Sequence, residues 1–105
     1  MLLLDTITGG TSGSPNLIVE ANSASYYVCD TTSAAVFIRL PAASGASAGR
    51  FFVIKDIGGT AATNNITVQI TGTDTVDGAS TYVVASNFGS ATFISRGNSV
   101  AYDVI

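Results

Sequence analysis

The fold is decided by residues 40–78, which read LPAASGASAGRFFVIKDIGGTAATNNITVQITGTDTVDG. Two β-type runs stand out in this stretch, RFFVIKD at residues 50–56 and NITVQI at residues 65–70. The second run alternates apolar and polar side chains with the period of two that a strand with one buried face requires. Small and polar turn-forming residues separate the two runs. The stretch therefore predicts strand, turn, strand and turn, with no helix.

Similar short runs recur along the rest of the chain at the spacing expected of an all-β domain. We predict an all-β fold, a single-domain antiparallel β-sandwich of jelly-roll type with about eight to ten short strands. Asp77-Gly78 and Gly97-Asn98 are two-residue signals for tight hairpins, because both residue types tolerate a positive φ. The predicted strands cover residues 2–7, 16–21, 26–29, 35–40, 51–56, 66–70, 75–76, 81–85, 91–95 and 100–105.

The composition is unusual for a lone soluble domain. Of the 105 residues 47% are hydrophobic and only 10% are charged, against roughly 25% charged in ordinary proteins. In three predicted strands, at residues 36–38, 51–54 and 82–84, both faces are apolar. This pattern favours an outer face that is covered by a neighbouring subunit or a wrapped arm. The alternatives are a monomer whose loops bury that face and a surface made of threonine and serine.

The first fifteen residues differ from the others, and we divide the chain into an N-terminal arm and hinge at residues 1–15 and a β-sandwich domain at residues 16–105. Leu2, Leu3, Leu4 and Ile7 form an apolar strand-like segment, which a Gly/Ser-rich stretch follows. Such an arm could pair with the sheet edge of another chain. An ordinary first strand with a loose turn is the alternative.

The residues that most enzymes and metal sites need are missing. The sequence has no histidine and one cysteine, Cys29, so it offers no Ser-His or Cys-His dyad and no structural zinc site. The four basic residues are scattered, which argues against nucleic-acid binding, and no apolar run is long enough to span a membrane. We expect a protein that is not an enzyme, with no catalytic, cofactor-binding or metal-binding residues, no nucleic-acid partner and no membrane partner.

A few charged residues remain as candidates. Asp74 and Asp77 are typical turn formers, although a weak metal site or a catalytic pair are alternatives. Cys29 follows Tyr-Tyr-Val in a predicted strand, where a buried, unreactive thiol is expected. Charges at strand ends are either solvated or paired across an interface. As oligomer or capsid contacts we single out four apolar residues of the arm and three charged residues at strand ends. They are Leu2, Leu3, Leu4, Ile7, Arg39, Lys55 and Asp56.

From about residue 26 onward the sequence resembles a β-module of tailed-bacteriophage fibres, spikes and head-decoration proteins. The resemblance rests on Leu40-Pro41, Gly49-Arg50-Phe51, Val53-Ile54-Lys55-Asp56, Asn65-Ile66-Thr67-Val68, Asp77-Gly78 and Gly97-Asn98. Such modules often end in Gly-x-x-Trp, whereas this chain has Tyr102 near its end. The resemblance implies a homotrimer.

On this basis we expect a bacteriophage capsid-decoration protein that stabilises the head as a homotrimer. Its expected partner is the major capsid protein or another virion protein, and its expected location is the surface of the particle after synthesis in the host cytoplasm. The alternative is a tail-fibre or spike module for receptor or carbohydrate binding. That function needs exposed aromatic side chains, for which Tyr26, Tyr27, Phe88 and Tyr102 are the candidates.

Overall fold

The computed structural model describes residues 6–18, 25–97 and 101–105, and these form a nearly all-β protein. Its one short 3₁₀ helix, Ala43–Gly45, lies in the loop after Pro41. The nine strands of the described part are β1 Asn16–Leu17, β2 Tyr26–Cys29, β3 Val36–Arg39, β4 Phe51–Asp56, β5 Ile66–Gln69, β6 Thr75–Val76, β7 Thr81–Val84, β8 Ser90–Ser95 and β9 Ala101–Val104. The all-β prediction is confirmed, and the bounds of β2, β4 and β6 are those predicted.

The strands form two sheets, and the chain alternates between them from β1 to β8. The four-stranded sheet has the order β1-β3-β5-β7, and the five-stranded sheet has the order β2-β4-β8-β9-β6. Each strand from β1 to β7 is thus followed by a crossing to the other sheet. Only β8 and β9 are both consecutive in the chain and adjacent in one sheet.

The prediction of purely antiparallel sheets is wrong, because both sheets are mixed. Pairs β1–β3, β3–β5, β2–β4 and β6–β9 run parallel, whereas β4–β8, β5–β7 and β8–β9 run antiparallel. A chain that visits the other sheet between two neighbouring strands can return to the first sheet in the same direction. A jelly roll is antiparallel throughout, so this strand order does not confirm that topology.

The inner faces of both sheets contribute to one hydrophobic cluster. In the four-stranded sheet the register places Val36 beside Ile66, which lies beside Val84. In the five-stranded sheet it places Phe52 beside Phe93, and all five of these side chains are buried. Burial of each such side chain stabilises the fold by about 1.5–3 kcal/mol, so this cluster is the main source of stability.

Aromatic rings connect the two sheets. Tyr82 of the four-stranded sheet meets Phe93 of the five-stranded sheet edge to face, with ring centroids 5.6 Å apart. Within the five-stranded sheet, the centroid of the Phe52 ring lies 6.2 Å from that of Tyr27 and 6.3 Å from that of Tyr102. These distances lie within the range of favourable ring pairs.

The loop between β3 and β4 is fixed by polar side chains from later strands. The Tyr102 hydroxyl donates to the Pro41 carbonyl at 2.7 Å. The Ser95 hydroxyl donates to the carbonyls of Ala43 and Ala46 at 3.1 and 3.3 Å. The Ala43 amide in turn donates to the Asp74 carboxylate at 2.8 Å. The loop therefore lies against the core although its own side chains are small.

Asp77-Gly78 forms the predicted two-residue turn, but its flanking strands belong to different sheets. Val76 and Ala79 exchange backbone hydrogen bonds of 2.7 and 2.9 Å. Asp77 has φ +48° and Gly78 has φ +82°, the positive values of a type I′ turn. The turn leads from β6 of the five-stranded sheet to β7 of the four-stranded sheet. The Gly97-Asn98 turn is only partly described, and the β8–β9 antiparallel pair that it was predicted to join is present.

We expect Gly78→Ala to lower the free energy of unfolding by about 1 kcal/mol, because an L-residue is strained at this φ. Gly13→Ala is the matched control, since a Cβ at either glycine meets nothing within 4 Å and Gly13 has no positive φ. Urea unfolding followed by circular dichroism measures both variants. Equal losses in the two variants would contradict the turn assignment.

Candidate functional site

The carboxylate of Asp56, the last residue of β4, is the centre of a polar cluster at one end of the five-stranded sheet. Asp56 is completely buried. Its Oδ1 accepts hydrogen bonds from the Thr31 hydroxyl at 2.8 Å and from the amides of Gly58 and Gly59 at 3.0 and 3.1 Å. Its Oδ2 accepts from the amides of Ala61 and Phe88 at 3.1 and 3.0 Å. Five donors therefore surround one carboxylate, and we call this arrangement the Asp56 cluster.

Two threonines extend the Asp56 cluster. The hydroxyls of Thr31 and Thr60 lie 2.8 Å apart, and the Thr60 hydroxyl also donates to the Thr31 carbonyl at 2.7 Å. The same carbonyl accepts from the Asn64 side chain at 2.7 Å. The segment after β2 is thereby bonded to the turn after β4.

Burial raises the pKa of the Asp56 carboxyl, but the hydrogen bonds from Thr31 and from backbone amides outweigh it and lower the pKa below its ordinary value. The opposite holds for Cys29, which lies beside Asp56 in the parallel β2–β4 pair. Burial, reinforced by the Asp56 charge, raises the pKa of the Cys29 thiol to about 12. The prediction of a buried cysteine is confirmed, and its thiol is unreactive at neutral pH.

The Asp56 cluster fixes the position of an exposed aromatic side chain, Phe88. The Phe88 amide is held by Asp56, and the Lys55 ammonium donates to the Phe88 carbonyl. Its ring lies over Gly59, where a Cβ would come within 2.3 Å of the Phe88 Cζ. Phe88 has φ +59°, which is uncommon for a bulky residue, yet 59% of it is exposed. The chain thus holds this ring in place at the surface.

The outer face of the five-stranded sheet carries a largely apolar patch. In β4 the side chains of Phe52, Ile54 and Asp56 point inward, so Phe51, Val53 and Lys55 point outward. The register extends this surface in two rows. Val53 lies beside Tyr26 and Thr92, Phe51 lies beside Ile94, and Ile105 is joined to Thr92 by two backbone hydrogen bonds. We call these residues the outer apolar face: Tyr26, Phe51, Val53, Thr92, Ile94 and Ile105.

Among the described residues, the outer apolar face is exposed at Phe51 and Ile105, whereas its other four residues are half-buried. Phe51 is 37% exposed and Ile105 is 80% exposed. Asp103 lies beside Ile94 at its border and forms a salt bridge of 2.8 Å with Arg96. The hydrogen bonds from Arg96 lower the pKa of the Asp103 carboxyl. Because both partners of this pair are exposed, it contributes little to stability.

The predicted contact residues lie in different places. Lys55 lies beside Val28 and Ser90 on the outward side of β4. Arg39 is half-buried on the outward side of β3 and donates to the Gln69 side chain at 3.2 Å. The prediction that Asp56 makes an oligomer or capsid contact is wrong. Asp56 is buried, and donors of its own chain occupy both of its carboxylate oxygens. Leu2, Leu3 and Leu4 lie outside the described residues.

The described part of the predicted arm contacts both sheets of its own chain. Ile7 forms a parallel bridge with Cys29, donates to the Val28 carbonyl at 2.9 Å and accepts from the Asp30 amide at 3.0 Å. The Gly9 carbonyl accepts from the Phe37 amide at 2.9 Å. Residues 7–9 therefore lie across the gap between the edges of the two sheets.

Asp74 and Asp77 each accept a backbone amide from a distant part of the chain, and Asp77 also lies in the two-residue turn described above. Asp74 accepts the Ala43 amide, as described above, and Asp77 accepts the Val104 amide at 3.2 Å. In the described part of the chain no three His, Cys, Asp or Glu residues are grouped to hold a metal ion. A cleft of about 360 Å³ lies beside the Asp77-Gly78 turn, and the Arg96–Asp103 pair that lines it is satisfied internally.

Sequence reasoning assigned Asp56 to an intermolecular contact and missed the Asp56 cluster. A local signal was present, since an aspartate that accepts amides two and three residues ahead forms an Asx-type turn, and Gly58-Gly59 follow at that spacing. The bonds to Thr31 and Phe88 depend on strand pairing, which this local signal does not contain.

Comparison with known proteins adds no relative to this geometry. The sequence matches no protein-family model, and a search of curated proteins finds no match. The described residues contain no helix of the length and hydropathy needed to cross a bilayer.

We expect Asp56→Asn to lower the free energy of unfolding by about 3 kcal/mol or more, because the amide group would place its own donors against Ala61 and Phe88. Urea unfolding at neutral pH measures the loss. Asp30→Asn is the matched control, since its carboxylate is exposed and bonds locally to Thr32. A loss in Asp56→Asn no larger than that in the control would refute the structural role of this cluster.

The same variants give a pH dependence. A carboxyl whose pKa is lowered on folding stabilises the protein above its unfolded pKa, near 3.9, and this contribution is lost as the pH falls through the lower folded value. We expect the stability of the native sequence to fall more steeply below about pH 4 than that of Asp56→Asn. Parallel pH profiles of the two proteins would contradict this assignment.

Proposed function

We propose that this chain is a structural protein of a bacteriophage particle, a non-enzymatic capsid-decoration protein that stabilises the head as a homotrimer. Its proposed partners are the major capsid protein or another virion protein. The proposed location is the surface of the particle, after synthesis in the host cytoplasm. We further propose that the two sheets pack face to face as a β-sandwich, supported by their shared core and by the contact between Tyr82 and Phe93.

The outer apolar face is the observation that carries this proposal. Four of the five strands, β2, β4, β8 and β9, lie about 4.8 Å apart and have four to six residues each, so they present roughly 300–400 Å². A stable protein interface takes about 800 Å² from each partner. The outer apolar face thus supplies roughly half of the area that one protomer needs for a stable interface. In a three-fold assembly each protomer also contributes a second, different surface.

The resemblance to phage β-modules supports the proposal from the sequence side. Its most distinctive segment, residues 49–56, forms β4 and the approach to it. This strand contributes Phe51 and Val53 to the outer apolar face and Asp56 to the buried cluster. One segment on which the resemblance rests therefore builds and supports the proposed contact surface.

The proposed mechanism is physical. Each protomer would bury apolar area that is otherwise in contact with water, which stabilises an assembly by roughly 25 cal/mol per Å² before the cost of association. Because the Asp103 charge at the border of the face is paired with Arg96, little electrostatic repulsion opposes the approach of a second body. Contacts of this kind across capsomer junctions would resist the internal pressure of packaged DNA.

We expect Phe51→Glu to abolish assembly without unfolding the chain, because it places a charge within the proposed contact at a side chain that is already partly exposed. Light scattering after size exclusion should give a mass of three chains, or a multiple of three, for the native protein and a smaller mass for the variant. Thr67→Glu is the control, since Thr67 is half-buried on the outward side of the other sheet. A monomeric native protein at high concentration would refute the trimer, and equal masses for native protein and Phe51→Glu would refute this face.

The N-terminal arm is proposed as a clamp onto the shell or a neighbouring protomer. Removal of residues 1–5 leaves the Ile7 bridge and the Gly9 bond to β3 in place, so we expect the fold to survive. Binding to purified particles that lack the protein, measured by co-sedimentation, should be lost. Undiminished binding by the shortened chain would eliminate the arm as a clamp.

The alternative function, a fibre or spike module that binds receptor or carbohydrate, is favoured by one observation. Of its four aromatic candidates, Tyr27 and Tyr102 are fully buried in the core and Tyr26 is half-buried, whereas Phe88 is largely exposed and its backbone amide is bonded to Asp56. A rigid exposed ring is a suitable platform for stacking against an apolar sugar face. Selective glycan binding that Phe88→Ala removes would favour this function over decoration.

A further inference from the structure

The edges of the two sheets are protected to different degrees. On the five-stranded sheet, β2 is covered at its free edge by Ile7, and β6 at the opposite edge is two residues long. On the four-stranded sheet, the described part of edge strand β1 is also two residues long. The other edge strand, β7, has four residues, Thr81–Val84. Within the described residues β7 makes no backbone hydrogen bonds other than those with β5.

The hydrogen-bonding direction of β5 shows which groups β7 leaves unpaired. The carbonyls of Asn65 and Gln69 accept amides from the β3 side of the sheet, at 3.0 Å each. Backbone groups alternate in direction along a strand, so Ile66 and Val68 face β7. The register places Val84 opposite Ile66 and Tyr82 opposite Val68.

Tyr82 and Val84 are therefore the residues of β7 that bond to β5. Thr81 and Val83 direct their N–H and C=O groups away from the sheet, toward the free edge. Both residues are exposed, Val83 to 43%. Natural edge strands are commonly protected by lysine, proline or a bulge, and Thr81–Val84 contains no charge and no proline.

We propose that β7 pairs with β7 of a second copy of this chain, antiparallel, about a two-fold axis that passes beside Tyr82. In this register Thr81 lies opposite Val83 of the second copy, and Val83 lies opposite Thr81 of the second copy. These two pairs use the outward N–H and C=O groups of both residues on both chains, which gives four hydrogen bonds. The two four-stranded sheets thereby join into one sheet of eight strands.

The chemistry of β7 favours a second copy as the occupant. The strand has no charge, so pairing with itself brings no like charges together. Tyr82 lies opposite Tyr82 of the second copy at a non-hydrogen-bonded position, where side chains approach most closely and aromatic pairs stabilise a sheet. On the outward side, Val83 continues the row formed with Phe37 and Thr67, and pairing covers this exposed valine.

This two-fold contact goes beyond the proposed trimer and is independent of it. This contact doubles the number of chains in the assembly that the other surfaces form, from one chain to two or from three chains to six. A closed two-fold pairing also removes an open edge that could otherwise recruit further strands.

The first test compares masses by sedimentation equilibrium. Val83→Pro removes an outward N–H that has no backbone partner among the described residues, and proline is tolerated at such edge positions. Val83→Thr, which keeps the N–H, is the matched control. We expect the native protein and Val83→Thr to have twice the mass of Val83→Pro. Equal masses for all three proteins would overturn the proposal. The mass of Val83→Pro separately tests the proposed trimer, since it equals that of one chain without the trimer and that of three chains with it.

The second test fixes the register and remains informative if Val83→Pro does not fold. With Tyr82 at the axis, the two Cα atoms at this position are about 4.5 Å apart, which a disulfide can span. We expect Tyr82→Cys to form a linked dimer with oxidised glutathione. The control Val83→Cys should not, because its diagonal separation is about 8 Å and Cys29 is buried and protonated. Linkage through Val83→Cys alone, or through neither variant, would overturn the register and the pairing.

Discussion

A carboxylate that is removed from water must be surrounded by donors, and Asp56 meets this requirement with five hydrogen bonds from three separate segments. One donor follows β2, three follow β4, and one precedes β8. These are the three neighbouring strands at one side of the five-stranded sheet. Loss of any one segment leaves a buried charge with fewer partners, so the cluster couples the ends of these strands to one another.

The same constraint positions the surfaces to which we assign a function. Because the Asp56 cluster aligns β2, β4 and β8, it also sets the spacing of Tyr26, Val53 and Thr92 on the outer apolar face. It holds Phe88 in an uncommon backbone conformation at the surface. A chain with so few charges thus uses the buried Asp56 carboxylate for internal order.

Local patterns in the sequence predicted the strands but not their arrangement. The runs at residues 26–29 and 51–56 were predicted with their bounds, because a high content of β-forming residues and flanking turn residues are local properties. The prediction of strand direction was wrong, since strand direction depends on the alternation of the chain between two sheets. No short window of sequence contains that information. Asp56 was misassigned for the same reason. An aspartate at a strand end is usually solvated, and only the pairing of β4 with β2 and β8 brings Thr31 and Phe88 to it.

The claim that this chain is an assembly protein of the phage head is tested most directly by electron cryo-microscopy of purified particles that carry it. The account predicts density for the chain on the outside of the head, in groups related by a three-fold axis, with Phe51 and Ile94 buried against a neighbouring body. Density confined to a tail fibre or spike, or groups on the head in which the outer apolar face remains in solvent, would contradict it.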